Sequence, residues 1–499
     1  MGFSLARRLV LLGLLAGLPA VQAQPAYRVR DINTTHPPLQ RWDWSDEMEA
    51  AGGKVFFVRD DGVHGKELWV SDGAGEPHLV RDILPGARAS NPTSLTAVGS
   101  ALYFIADDGI HGRELWRSDG TEAGTVLALD FNPFLRDSVL SVSAAGDPWM
   151  LAVVDFENVG LQLVFTDGTP SGTGTMGPLH PGPFEPPARV LSYSSQQVLY
   201  AFNDGVHGVE PWVWSKGTSQ RTMLGDLHPG TGSSVEITLL PDGLQGADAV
   251  AAPWGGFLFL ANDGPHGSEL WSTDGTAAGT HLVKDINPGA ADSSPFGLTV
   301  LNGAVYFHAS GPEGNELWRT DGTAAGTTLV KDINPGSDGS NPIEMTRVGN
   351  QLFFLAFNPT AGTPLWRSDG TAAGTVPLHG SEPINFCCSA PGYIRYGFSD
   401  VAGQLMFLAG TNLWRSDGTD AGTVRVADIG SAAAIPMRDG YAAAGGGFYL
   451  RGGPQGEEVW RSDGTAAGTA RILSGPALTS SFFLEGGMTY PRDGFAELN

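Results

Sequence analysis

The sequence predicts an all-β protein, a β-propeller of four-stranded antiparallel meander blades. First, a turn of the type W-R-S-D-G-T-x-A-G-T recurs with a period of about 48 residues, which indicates tandem structural units. Second, each unit holds four short runs rich in strand formers, separated by glycine-containing turns. Third, no run after the N-terminus has the length and periodicity of a helix, so the sheets of neighbouring units must cover one another.

The N-terminus is typical of an export signal. Arg7 and Arg8 precede an apolar run over residues 9–18, and a small-residue pattern ends at Ala23. We expect residues 1–23 to be a signal peptide and residues 24–499 to be the repeat domain, located in the periplasm or the extracellular space. The apolar run is too short to cross a bilayer, so no membrane span is expected.

The repeats are counted by the residue that precedes each turn. Nine such positions follow one another at intervals of 46–48 residues, except for one interval of 59, and they are Trp69, Trp116, Val164, Trp212, Trp271, Trp318, Trp366, Trp414 and Trp460. We interpret seven of the tryptophans as structural repeat residues, namely Trp69, Trp116, Trp271, Trp318, Trp366, Trp414 and Trp460. Val164 replaces the tryptophan in the third unit, and the turn after Trp212 lacks its aspartate.

The second unit shows the four strands best. We predict them at residues 94–98, 101–106, 114–118 and 125–130. The second strand is apolar on both faces, which requires a cover on each side. The fourth strand is more polar and in later units carries a lysine, as expected of an outer edge strand. Radially packed sheets with a polar outer edge describe a propeller.

The D-G-T-x-A-G-T turn is explained by structure alone. Aspartate at the start of a turn accepts backbone N–H bonds, glycine adopts positive φ, and threonine returns the chain to strand geometry. We therefore assign this turn to the scaffold.

The two ends of the chain are predicted to share one blade. Residues 27–33 match the fourth strand of later units, and residues 482–498 resemble degenerate copies of the first, second and third strands. Together with nine full repeats, this composite blade would close the ring. The longer interval around residues 241–253 leaves two smaller propellers as the alternative.

The predicted binding surface is the rim formed by the D-G-x-H-G and D-I-N-P-G-x-x-x-S loops. In a meander blade these loops lie on the same side, and they vary more than the opposite turns. The candidate residues are His64, His111, His207, His266, Asp61, Asp108, Asp204 and Asp263. Ring geometry keeps equivalent histidines apart, so we interpret them as residues that hydrogen-bond their own loop or the next blade rather than as ligands of a transition metal.

Calcium is the one metal that the loop composition suggests. Asp60, Asp61, Asp107 and Asp108 offer carboxylate oxygens, which calcium prefers, although their spacing matches no known calcium loop. No other cofactor is expected. The adjacent cysteines Cys387 and Cys388 leave three states open: a vicinal disulfide, a bond to another chain, or free thiols.

The formal net charge of −24 disfavours a nucleic-acid partner, because phosphate binding needs a basic surface. Acidity of this size is expected in a soluble protein whose copies repel one another.

The string E-L-W-x-x-D-G-T occurs at residues 114–121, 269–276 and 316–323. It resembles the signature of the ELWxxDGT repeat family, and the resemblance extends over nearly all of the chain after residue 23. The family implies exported or surface-associated bacterial proteins of tandem units, sometimes labelled hyalin-like. It implies no reaction and no catalytic residues.

No catalytic motif stands out among the repeats, which favours a non-enzymatic role. Glu114, Glu269 and Glu316 are repeated acids that we expect to pair with a lysine or arginine on the fourth strand. The expected function is an exported, non-enzymatic scaffold that binds a protein or carbohydrate partner at the cell surface. Two alternatives are kept: a propeller hydrolase or lyase acting on polysaccharide, and a calcium-dependent surface-layer or adhesion protein.

Overall fold

Each repeat folds as four consecutive antiparallel strands, as the sequence predicts. The computed structural model describes residues 48–473 apart from residues 74, 132–137, 145–147, 157–159, 179–188, 195, 216–217, 219, 236–248, 361, 363, 382, 385, 387–396, 430–440 and 453–457. Among the described residues, no helix has the length and apolarity that a membrane-spanning helix requires.

The first three blades contain twelve strands. Blade 1 consists of β1 (Met48–Ala51), β2 (Lys54–Asp60), β3 (Lys66–Ser71) and β4 (His78–Leu79). Blade 2 consists of β5 (Thr93–Val98), β6 (Ala101–Asp107), β7 (Arg113–Ser118) and β8 (Val126–Leu129). Blade 3 consists of β9 (Ser138–Ala144), β10 (Met150–Phe156), β11 (Gly160–Thr166) and β12 (Gly174–Pro178), with a short 3₁₀ turn at Pro170–Gly172.

The next three blades repeat this order. Blade 4 consists of β13 (Arg189–Tyr193), β14 (Gln197–Asn203), β15 (Val209–Ser215) and β16 (Gln220–Met223). Blade 5 consists of β17 (Ala249–Ala251), β18 (Phe257–Asn262), β19 (Ser268–Thr273) and β20 (His281–Lys284). Blade 6 consists of β21 (Phe296–Leu301), β22 (Ala304–Gly311), β23 (Gly314–Thr320) and β24 (Thr328–Lys331).

The last three blades have the same order. Blade 7 consists of β25 (Ile343–Val348), β26 (Gln351–Leu355), β27 (Leu365–Ser368) and β28 (Val376–Leu378). Blade 8 consists of β29 (Ser399–Val401), β30 (Gln404–Ala409), β31 (Asn412–Ser416) and β32 (Val424–Asp428). Blade 9 consists of β33 (Tyr441–Ala444), β34 (Gly447–Gly452), β35 (Glu458–Ser462) and β36 (Ala470–Leu473).

The nine blades form one propeller, so the predicted fold class is confirmed. An apolar cluster fills every interface between neighbouring blades. One of them joins blade 4 to blade 5 through Val213 and Phe257, so the chain forms a single ring rather than two smaller propellers. The predicted strands of the composite blade, residues 27–33 and 482–498, lie outside the described residues. Blades 9 and 1 pack directly on each other through Tyr449 and Phe57, so the described ring closes with nine blades.

The first strand of each blade faces the centre of the ring. First strands of neighbouring blades contact one another almost all the way round, and those of blades 9 and 1 do so as well. Thr299, on the first strand of blade 6, donates a hydrogen bond to the carbonyl of Met345 on the first strand of blade 7 at 3.4 Å. The fourth strands therefore form the outer edge, where the sequence places the more polar residues.

The signature turn is held by its own side chains. Asp119 Oδ1 accepts hydrogen bonds from the backbone N–H of Thr121 at 2.9 Å and from its hydroxyl at 2.7 Å. Gly120 adopts φ +87°, as a turn glycine should. Gly124 is needed for a different reason: a Cβ there would lie 2.1 Å from Asp119 Oδ1. The same aspartate contacts recur at Asp167, Asp274, Asp321, Asp369, Asp417 and Asp463.

The described signature turns of blades 1, 2 and 7 also pack on the preceding blade. Lys54 of blade 1 donates to the carbonyl of Asp119 at 2.6 Å, and Tyr306 of blade 6 lies against Gly370 of blade 7. Tyr449 of blade 9 lies against Gly73 of blade 1 in the equivalent position. The interface that closes the ring thus repeats the contact made at the other interfaces.

The repeated tryptophans lie in the same interfaces. Each of the seven packs toward the blade before it, in the cluster that the two blades share. Lys331 on the fourth strand of blade 6 crosses to blade 7, where its Nζ lies 5.7 Å from the ring centroid of Trp366. The same ammonium donates to the carbonyl of Thr375 at 2.7 Å. A strand-four cation therefore joins two blades.

The requirement for the second turn glycine is testable. We expect Gly374→Ala to destabilise the protein by about 1 to 3 kcal/mol, because the new Cβ would lie 2.1 Å from Asp369 Oδ1 and would displace that carboxylate. Gly75→Ala is the control, since a Cβ there meets no atom within 4 Å. Thermal unfolding by circular dichroism measures both variants. Equal midpoints for the two would contradict the steric explanation.

Candidate functional site

Two loops of a blade meet on one side of the ring, as blades 1 and 4 show. The D-G-x-H-G loop joins the second and third strands, and it contacts the loop that leads from the fourth strand to the next blade. A Cβ on Gly65 would lie 2.8 Å from the backbone of Arg88, and one on Gly208 would lie 2.1 Å from the carbonyl oxygen of Gly232. We call the surface formed by these two sets of loops the loop rim.

A buried glutamate on the third strand fixes the loop rim to the core. Glu316 accepts hydrogen bonds from the backbone N–H groups of Ile333 and Asn334 at 3.1 and 3.0 Å and from the hydroxyl of Ser340 at 2.5 Å. Equivalent bonds are made by Glu67, Glu210 and Glu269. The four carboxylates are fully buried, and burial raises their pKa values even though the hydrogen bonds oppose the shift.

The sequence predicted that Glu114, Glu269 and Glu316 pair with a cation on the fourth strand. This prediction is wrong for Glu269 and Glu316. Glu269 and Glu316 bind loop backbone and serine instead. Lys284 reaches the next blade, where its Nζ donates to the carbonyl of Thr327 at 2.8 Å. Since peptide N–H groups and hydroxyls already surround the carboxylates, the cations are free to join blades. Glu114 also accepts a loop N–H, that of Phe131, at 3.1 Å.

Each predicted histidine is held by the aspartate three residues before it. His64 Nδ1 lies 2.7 Å from Asp61 Oδ2, while Asp61 Oδ1 accepts the backbone N–H groups of Val63 and His64, each at 2.8 Å. The corresponding ring distances are 2.7 Å for His111 and Asp108, 2.8 Å for His207 and Asp204, and 2.7 Å for His266 and Asp263. The eight candidate residues therefore form four separate His–Asp pairs, in blades 1, 2, 4 and 5, and do not converge on one point.

The pairing sets the protonation of the imidazoles. Because the ionised carboxylate accepts a hydrogen bond, Nδ1 carries the proton and Nε2 is left as the basic nitrogen of the neutral ring. The hydrogen bond that His64 donates to Asp61 raises the pKa of His64, and the bonds that His207 and His266 donate to Asp204 and Asp263 do the same for these two histidines. The histidine side chains are between 34% and 41% exposed, so solvent reaches them.

The calcium candidates are engaged in their own loops. Asp60 Oδ1 accepts the N–H of Gly62 at 2.7 Å, and Asp107 Oδ1 accepts that of Gly109 at 2.7 Å. Asp61 and Asp108 hold the histidines. Within the described part of the chain, no group of three or more His, Cys, Asp or Glu side chains has an arrangement suited to a metal ion. Calcium binding stays a prediction, and Cys387 and Cys388 lie outside the described residues.

Sequence reasoning missed two features of the loop rim. One is the identity of the residue that each histidine bonds in its loop, the aspartate three residues before it, for which the spacing in D-G-x-H was the available signal. The other is a set of exposed apolar side chains in blades 6 and 7, at Phe296, Ile343 and Phe357. They stand where the repeat pattern is broken, and the break itself was the signal.

No protein-family model matches the chain, and no curated protein is similar to it. The assignment to the ELWxxDGT repeat family therefore stays a prediction.

Several solved structures are similar to the chain at low identity and low TM-score. A puromycin hydrolase is 13% identical, with 74% of this chain and 58% of that chain covered and a TM-score of 0.37. A prolyl endopeptidase is 14% identical, with 79% and 57% covered and a TM-score of 0.35. An acylaminoacyl peptidase from Pyrococcus horikoshii is 12% identical, with 74% and 57% covered and a TM-score of 0.32. The match spans less than two thirds of each of these proteins.

The names of these neighbours differ from the functional expectation. All three are named as hydrolases or peptidases, whereas the sequence predicted a non-enzymatic scaffold that binds a protein or carbohydrate partner. At this identity and TM-score the likeness assigns no residue of this chain a role.

The buried glutamate is a testable determinant of the loop rim. We expect Glu316→Gln to destabilise the protein by about 2 kcal/mol or more, because the new amide group cannot accept the three hydrogen bonds that the carboxylate receives. Hydrogen exchange should become faster at the N–H groups of residues 333 and 334. Glu313→Gln, an exposed change in the same blade, is the control. Unchanged exchange in Glu316→Gln would show that the glutamate does not hold the loop.

Proposed function

We propose that the chain hydrolyses an acyl bond, an ester or amide, in a substrate bound on the loop rim. The observation that carries the proposal is the set of four imidazoles whose Nδ1 atoms are fixed by aspartates at 2.7 to 2.8 Å. A histidine oriented in this way by a carboxylate is the usual general base of acyl hydrolysis.

The proposed step uses water as the nucleophile. Nε2 of the neutral imidazole accepts a proton as the water oxygen attacks the carbonyl carbon, and the aspartate stabilises the imidazolium that forms. The imidazolium then returns this proton to the leaving alcohol or amine as the acyl bond breaks. The substrate is thereby cleaved by one water molecule, and the imidazole regains its neutral form.

Glycoside cleavage is less well supported by this chemistry. It requires two carboxyl groups that face the scissile bond from opposite sides. The rim carboxylates of Asp61, Asp108, Asp204 and Asp263 instead hold histidines. The His–Asp pairs therefore favour an acyl substrate over the polysaccharide of the earlier alternative.

The N-terminal sequence supports a location outside the cytoplasm. Residues 1–23 have the basic, apolar and small-residue regions of an export signal. We accordingly propose an exported hydrolase.

A four-site variant tests the proposal. His→Asn at positions 64, 111, 207 and 266 keeps an N–H near the position of Nδ1 but removes the base, so the loops should stay folded. We expect release of product from fluorogenic ester and peptide substrates to fall roughly a hundredfold or more. His281→Asn is the control, because its ring bonds a carbonyl in a signature turn. Cleavage at the wild-type rate by the four-site variant, or none by the wild type on any acyl substrate, would refute the proposal.

The rate should also depend on pH in a defined direction. General-base catalysis needs neutral imidazole, and the pKa values of His64, His207 and His266 are raised above the usual 6.5 by their aspartates. We therefore expect kcat/KM to increase as the pH rises from about 6 through the neutral range and then to level off. Stopped assays in buffers of constant ionic strength measure this profile. A rate that falls over the same range would contradict the assignment of a base.

A further inference from the structure

The loop rim of blades 6 and 7 exposes apolar side chains at positions that are polar in blade 2. Phe296 and Ile343 begin the first strands of these blades, and they are 40% and 43% exposed. Phe357 follows the second strand of blade 7 and is 43% exposed. In blade 2 the position equivalent to Phe296 is Thr93, and the position equivalent to Phe357 is Asp107. We call Phe296, Ile343 and Phe357 the apolar patch.

Contacts tie the three residues of the apolar patch to the junction between blades 6 and 7. The Phe296 ring stacks on His308, with centroids 5.3 Å apart and an interplanar angle of 25°. His308 Nδ1 is hydrogen-bonded to the carbonyl of Pro342, the residue before Ile343. The backbone N–H of Phe357 donates to the carbonyl of Ser340 at 2.7 Å, two residues before Pro342. All three side chains thus adjoin the junction between blades 6 and 7.

The imidazole beneath Phe296 is an uncharged support. Burial lowers the pKa of His308, so its ring is neutral at physiological pH despite the bond to Pro342. His308 differs in this from His64, His207 and His266, whose pKa values are raised by their aspartates. Phe296 and the His308 ring beneath it therefore present an apolar surface without a positive charge.

All the charged residues in the segments around the apolar patch are acidic. Residues 285–297, 309–316, 332–346 and 356–364 contain no lysine or arginine. They contain Asp285, Asp292, Glu313, Asp332, Asp338 and Glu344, together with the buried Glu316. An occupant of this surface must offer apolar groups to the patch and gains from positive charge beside them. A second copy of the chain is disfavoured, since it carries the same negative charge.

We propose that the apolar patch binds an aliphatic or aromatic side chain of a basic peptide, and that such peptides are the substrate class of the hydrolase. The assignment of such peptides as substrates rests on the proposed function. Their binding to the apolar patch does not. The apolar side chain covers Phe296 and Ile343, while lysine or arginine residues on either side face the acidic loops. Polypeptides carry both features at adjacent residues, whereas neutral glycans lack the charge.

Peptide binding to the full chain tests the inference. The probe is a fluorescein-labelled peptide of alternating lysine and leucine, measured by fluorescence anisotropy at low and at physiological salt. We expect the Phe296→Ser/Ile343→Ser double variant to weaken binding about tenfold or more, because it removes most of the buried apolar contact. Ile110→Ser is the matched control: this residue is 72% exposed on the same rim in blade 2, and its change should alter Kd less than twofold.

Two further peptides separate the contributions. Serine in place of leucine removes the apolar contact, and glutamate in place of lysine reverses the charge; we expect each change to weaken binding at least tenfold. Added salt should weaken the lysine peptide, since the acidic loops act through charge. Equal binding of the serine peptide, or of the double variant, would overturn the inference. So would a neutral oligosaccharide that binds more tightly than the lysine peptide and loses binding in the double variant.

The four-site histidine variant distinguishes failure of this inference from failure of the proposed function. It should bind the lysine peptide as the wild type does but not cleave it. If the wild type binds through the patch without cleaving any acyl bond, the hydrolase proposal fails and the peptide site stands. If the wild type cleaves peptides and the Phe296→Ser/Ile343→Ser variant binds them with unchanged Kd, the hydrolase proposal stands and the peptide site on the apolar patch is refuted.

Discussion

Apolar burial on both faces of every blade is the constraint on which the structure depends. A second strand such as Ala101–Asp107 is buried along nearly its whole length, so each sheet needs a cover on either side. Only another blade supplies it. The interface between blades 9 and 1 is filled by the same kind of cluster as the rest, with Phe57 on one side and Tyr449 on the other. A closed ring is therefore the arrangement in which no blade keeps an uncovered face.

The buried glutamates connect the core of each blade to the loop rim. Their carboxylates belong to the third strand, while the groups that they bind belong to the loop leading to the next blade, as Glu269 shows with Ile286 and Ser293. A fully buried carboxylate that lost these donors would be costly, so the loop must keep its course. The D-G-x-H-G loop ends just before this glutamate. The His–Asp pairs thus stand on a rigid base, which suits groups that must hold a reacting atom in place.

Much of the scaffold was predictable because local residues determine it. Glycine-rich turns bound each strand, and the predicted strands of blade 2 agree with the observed ones to within about one residue at most ends. Contacts between blades were not predictable, because the sequence of one repeat does not show what the next repeat places against it. The sequence therefore predicts that Glu316 pairs with a lysine of the fourth strand, but Lys331 reaches Thr375 of the next blade. Positive φ was the predicted reason for the turn glycines, whereas Gly374 is required because a side chain there would collide with Asp369.

The candidate site was predictable only as far as it repeats. The D-G-x-H-G motif located the histidines, whereas Phe296 and Ile343 drew no attention because they match no motif. The structure places these two kinds of residue in different loops that a hydrogen bond links. Asp292 accepts the backbone N–H of Ser268, two residues after His266, at 2.7 Å, and the chain segment that holds Asp292 enters blade 6 at Phe296. Since this bond joins the two loops, His266 is the rim histidine whose loop contacts the segment leading to Phe296, and the repeated motif adjoins the unique surface there.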